Sequence, residues 1–202
     1  MIKNRTINAL ILAGLGLALF SCTGRNISSN YYFEHQEVLE KIEKSYKELY
    51  REKPFTIAFT DKQFRTATLE IITDSIAYIN DFNLDELRLK DTLQKYHLNP
   101  AGVSGLLKLM QSIRCTWVNN FDYYVDEQKR SMILISIKPV ALHSLFSYKK
   151  YYILTFYAQP QHYDSEGRLL DKRKLRRLRK INGEVFHRIN DKVCYTISGQ
   201  FR

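Results

Sequence analysis

The chain has 202 residues, 45% of them hydrophobic and 26% charged, with only 8 glycines and 4 prolines. That balance excludes a disordered or collagen-like chain, and the length suits one domain that buries a core without disulfide staples. The formal net charge is +10, but it is local: between residues 168 and 180 stand Arg168, Lys172, Arg173, Lys174, Arg176, Arg177, Arg179 and Lys180 against Asp171 alone.

At the start of the chain, Lys3 and Arg5 precede an apolar run from Ile7 to Phe20, and Ser21 precedes Cys22. A basic segment, an apolar run shorter than the roughly 18 residues of a spanning helix, and a small residue before a cleavage point form the layout of a secretory signal. Leu19-Phe20-Ser21-Cys22 resembles the lipobox of bacterial lipoproteins, with Phe20 departing from the usual small residue. The resemblance implies cleavage before Cys22 and acylation of its thiol and new amino group. Thr23, where an Asp would signal otherwise, resembles an outer-membrane address, and the lack of acids just after the cysteine favours the periplasmic side. Residues 1–21 are therefore expected to be a signal peptide, 22–31 a short polar tether, and 32–202 one domain.

From Tyr32 to Glu52 the apolar residues Val38, Leu39, Ile42, Tyr46 and Leu49 recur at helical spacing between charged ones, and Pro54 closes the segment. A meander is expected next, with strands over 55–60, 64–72 and 76–82 separated by polar turns. Residues 67–79 can also be drawn as a helix. Two helices, 85–96 and 101–113, flank Asn99-Pro100. Beyond Cys115 the chain turns strand-rich at 116–119, 131–138 and 149–158. The basic run 168–180, with Leu170, Leu175 and Leu178, reads as a helix. A final hairpin is expected over 184–189 and 192–198 around Asn190-Asp191. Strand runs interspersed with helices, without regular alternation, predict an α+β domain with a largely antiparallel sheet.

Functional signals are sparse. The basic run suits phosphates of anionic lipid, lipopolysaccharide or a cell-wall polymer. Alternatively it is a solvated helix resting its leucines on the sheet; the envelope address disfavours nucleic acid. Tyr151 and Tyr157 share one strand face, which if exposed would stack on sugars. Cys115 and Cys194 remain once Cys22 is assigned to lipid, and an exported chain permits a disulfide between them. Asp81-x-Asn83-x-Asp85 resembles the start of a calcium loop, but Glu86 replaces the glycine of position six and Thr92 the glutamate of position twelve. Ser147-Tyr148-Lys149-Lys150 resembles the first motif of penicillin-binding proteins, without its companions. Asp74-Ser75-Ile76 and Asp91-Thr92-Leu93 resemble an O-glycosylation sequon of exported proteins. The five histidines are scattered, and no cofactor or metal motif is present. Two function classes remain: a non-enzymatic, lipid-anchored binding or structural protein with an envelope partner, and an envelope hydrolase using Asp122, Asp126 and Glu127 near Tyr123 and Tyr124.

Overall fold

The computed structural model describes residues 27–73, 77–125, 127–140 and 150–199. Met1–Cys22 with its lipobox, Asp74-Ser75-Ile76, Asp126 and Ser147-Tyr148-Lys149 lie outside the described residues.

The chain is already helical at residue 27. Helix α1 (27–34) turns its Ser28 and Tyr32 into the protein, so packed structure begins within the stretch expected to be tether. Helix α2 (Gln36–Glu52) follows after a break at His35 and buries Leu39, Ile42, Tyr46 and Leu49, the stripe its periodicity demands. Helix α3 (Leu87–Lys95) buries Leu89 and Leu93. Helix α4 (Pro100–Ser112) starts at Asn99, whose side chain accepts the Gly102 N–H, with Pro100 at the first helical position. That pairing satisfies an otherwise orphaned donor and presets φ.

Strands β1 (Phe55–Phe59), β2 (Thr66–Ile72) and β3 (Ala77–Asn83) form the expected meander. Strands β4 (Cys115–Val125), β5 (Gln128–Val140) and β6 (Lys150–Tyr157) form a second, longer one. Among the described residues five short strands and a longer one follow: β7 (Leu170–Asp171), β8 (Lys174–Leu178), β9 (Lys180–Ile181), β10 (Glu184–Val185), β11 (His187–Arg188) and β12 (Val193–Ser198). Eight of the twelve described strands make one antiparallel sheet in the order β11-β12-β6-β5-β4-β1-β2-β3. The class is α+β, as the element pattern predicts.

The sheet has two unequal layers on its faces. Helices α2, α3 and α4 cover one face and close the main core, in which Leu39, Ile42, Tyr46, Val103, Leu106 and Met110 meet Phe55, Ile57, Leu69, Ile135 and Leu154. Tyr46 also donates its hydroxyl to the Phe55 carbonyl at 2.5 Å. On the other face a smaller core joins Tyr123, Met132, Tyr157 and Cys194 of the sheet to Leu169 and Phe186 of the C-terminal segment. Being central, β6 is buried on both faces: Ile153, Leu154 and Thr155 are all fully covered. The exposed tyrosine row is therefore ruled out; Tyr157 is buried and Tyr151 half-buried. Sugars have no such platform there.

The cysteine expectation is also corrected. Cys115 belongs to the helix-side core and Cys194 to the opposite one, and both thiols are free. Strand alternation puts them on different faces of the sheet, out of bridging reach.

Candidate functional site

The basic run forms strands, not a helix. Residues 168–180 fold back at Lys172-Arg173, pairing Leu170 with Leu178 and Asp171 with Lys174. The reason lies in the charges and the turn. A helix would stack like charges three and four apart, at 172/176, 173/176 and 173/177, each pair destabilising. In the hairpin, Asp171 instead accepts the Arg173 N–H at 3.0 Å and seeds the reversal. A second hairpin follows at once, β9 to β10 around Asn182-Gly183, with φ of 51° and 79°. Both residues at positive φ are the requirement of the tight turn that matches strand twist. The Asn-Gly pair was the sequence signal for this region, two residues beyond the basic run.

The eight cations separate into two sets. Arg168 is neutralised: its Nε lies 2.7 Å from the Asp164 carboxylate and its Nη1 3.0 Å from that of Glu166. Arg179 turns under the hairpin, with its guanidinium 4.9 Å from the Tyr123 ring centre and 5.8 Å from that of Tyr157. Its Nη1 donates to Gln161 Oε1 at 3.3 Å. These two arginines fasten the segment to the sheet. Lys172, Arg173, Lys174, Arg176, Arg177 and Lys180 are exposed. Among the described residues no carboxylate forms an ion pair with Arg173, Lys174, Arg176, Arg177 or Lys180. Leu175, 54% exposed, projects among them. The arrangement offers closely spaced donors and one apolar side chain to an anionic surface, with rigid backing.

Beneath it lies a layer of aromatic hydroxyls. Burial pushes the phenols of Tyr157 and Tyr163 up and the Cys194 thiol up to about 12. The hydroxyls of Tyr157, Tyr163 and Thr155 crowd this thiol and reach no oxygen or nitrogen partner among the described residues. Sequence reasoning missed this layer, because its members come from β6, β12 and the loop after β6.

The two described acids of the hydrolase reading, Asp122 and Glu127, do not converge. Asp122 is held by Lys129 at 2.8 Å and by the Asn120 amide at 3.2 Å. Tyr123 points to the opposite face of β4, and Glu127 is exposed at the turn joining β4 to β5. The calcium-like string is not a loop: Asp81 and Asn83 lie on β3, the Asp81 carboxylate accepting from Thr68 and its carbonyl from Arg88. Asp91-Thr92-Leu93 sits within α3 with Leu93 buried. Among the described residues no group of three or more His, Cys, Asp or Glu side chains is placed to hold a metal ion. No helix of the described chain is long and apolar enough to cross a membrane.

Compared with protein-family models, curated proteins and solved structures, the chain has no significant match.

Proposed function

We propose that this is a lipid-anchored envelope protein that binds an anionic surface through its C-terminal cationic hairpin and has a binding or structural role. The anchor is Cys22, acylated after cleavage of residues 1–21, and the site of action is the periplasmic side of an outer membrane. One observation carries the reading: six exposed cations on two consecutive short hairpins, their two neighbours Arg168 and Arg179 spent on holding those hairpins to the sheet. A cationic strand surface with Leu175 at its crest suits phosphate-bearing lipid or lipopolysaccharide, where each added cation is worth about 1 kcal/mol near the surface. The anchor raises the local concentration of such partners without any further contact.

Two measurements test this. Labelled palmitate is expected in the wild-type chain and lost with Cys22→Ala, which should accumulate as an uncleaved precursor; equal labelling would sink the anchor. The lipid-free chain beginning at Thr23 is expected to co-sediment with anionic vesicles and not with zwitterionic ones. Equal sedimentation with both would sink the binding role.

A further inference from the structure

We propose that a second cationic site, the depression between the β1–β2 loop and the end of α4, holds phospholipid headgroups of the membrane to which the chain is tethered. The depression has a volume of about 480 Å³ and is lined by Lys62, Gln63, Phe64, Arg65, Gln111 and Arg114. Three cations and two amides line it, and among the described residues no carboxylate does. The acid of the same loop, Asp61, is spent on the backbone: its Oδ1 accepts the N–H groups of Arg65 and Thr66 at 2.8 and 2.7 Å, and its Oδ2 that of Gln63 at 3.1 Å. Lys62 and Arg65 are left exposed.

The walls are fixed before any ligand arrives. Gln111 Nε2 donates to the Phe64 carbonyl at 2.6 Å, and Arg114 Nη2 to that of Lys62 at 3.3 Å. The Arg114 guanidinium lies 5.4 Å from the Phe64 ring centre. Phe64 and Arg114 both hold φ near +60°, at 59° and 57°, a region that bulky side chains seldom enter. Guanidinium and ammonium groups around a pre-set concavity match the oxygens of a phosphate.

Position selects the source of that phosphate, and this step rests on acylation of Cys22. Four residues separate Cys22 from Ile27, the first described residue of α1, a span of at most about 18 Å. Four helical residues further, a rise of about 6 Å, Tyr31 donates its hydroxyl to the Ile113 carbonyl at 2.5 Å. Arg114 is the next residue. The depression thus stands at the tethered end of the domain. The cationic hairpin is elsewhere: Arg179 lies over Tyr123, eight residues along β4 from Cys115, or about 26 Å at the rise of a strand. The two basic surfaces are separate along β4; α1 meets the edge of the depression through Tyr31 and Ile113, while its Tyr32 accepts from Asn190 Nδ2 of the β11–β12 turn at 3.0 Å.

The test uses the full lipidated protein in vesicles of phosphatidylcholine, alone or mixed with phosphatidylglycerol. Amide hydrogen exchange is followed at residues 61–66 and 111–115. Slower exchange is expected only with phosphatidylglycerol. The double variant Lys62→Glu, Arg65→Glu, both at exposed positions, should exchange there as in phosphatidylcholine, since each cation near an anionic surface is worth about fivefold in occupancy. Equal rates in the two vesicles for the wild type overturn the proposal. Inorganic phosphate added to the detergent-solubilised protein is expected to change nothing; slowing as large as that in vesicles would overturn the lipid assignment in favour of a free anion. The intact mass of the same sample separates the premises. With acyl groups present, equal rates count against the depression alone; without them, the anchor fails and the placement of the depression at a membrane fails with it.

Discussion

Buried hydroxyls in this protein are of two kinds, and they predict opposite mutational outcomes. Tyr46 gives a short hydrogen bond to the Phe55 carbonyl inside the main core. Tyr46→Phe leaves that carbonyl unpaid and should cost about 1–2 kcal/mol in a denaturant titration. Among the described residues the Tyr157 hydroxyl has no oxygen or nitrogen partner, so Tyr157→Phe should fall within about 0.5 kcal/mol of wild type. A similar loss in both would mean that the Tyr157 hydroxyl has a good partner. Asp61 is a third case. The N–H of Thr66 first, then those of Arg65 and Gln63, hold its carboxyl below the ordinary 3.8. Because the folded value is the lower one, its stabilisation is present above the ordinary value and is lost as pH falls through the folded one. Asp61→Asn should therefore be less stable at neutral pH, with a shallower acid limb than wild type. The two thiols, raised to about 12 by burial, should resist alkylation in the native state and both react after unfolding without reductant. Reaction only after reduction would reveal a bridge.

Among the elements, α4 offers a matched pair of glycines. A Cβ at Gly102 would come within 2.8 Å of Leu49 Cδ2 on α2, whereas one at Gly105 meets nothing within 4 Å. Gly105→Ala should gain about 0.5–1 kcal/mol from helix propensity. Gly102→Ala gains the same but must displace a buried methyl, an overpacking cost of about 1–3 kcal/mol. The thermal midpoint of Gly105→Ala should exceed that of Gly102→Ala; the reverse order would contradict the α2–α4 packing. Elements with one strong period were legible in the sequence. The stripe of α2 announces itself through Leu39, Ile42, Tyr46 and Leu49, and the meander through its alternation and polar turns. The basic run was not legible, because Leu170, Leu175 and Leu178 mimic a helical stripe. What overrode that pattern was a cross-strand pair, Leu170 with Leu178, set by an aspartate turn and by repulsion among neighbouring cations. The packing of residues 27–34 was hidden for a related reason: Ser28 is polar, yet it is fully buried.

At the scale of the molecule, an antiparallel sheet carries its helices on one face and small hairpins on the other, so the two faces have different work. The helix side supplies the core. The hairpin side presents charge on a backing of buried tyrosines, and this division could not be read from the chain, because the backing is assembled from β4, β6, β12 and the loop before β7. Locality of charge is the central claim, since a chain with net charge of +10 would adhere weakly to any anionic surface. The most direct measurement compares two variants of equal net charge in the lipid-free chain. Arg173→Glu, Arg176→Glu, Arg177→Glu reverses the hairpin; Lys41→Glu, Lys90→Glu, Lys108→Glu reverses three exposed lysines on α2, α3 and α4. Affinity for anionic vesicles is predicted to fall by about 100-fold or more in the first, at about 1 kcal/mol per cation, and by less than about fivefold in the second. Equal losses in the two variants would contradict the assignment of the hairpin as the binding surface.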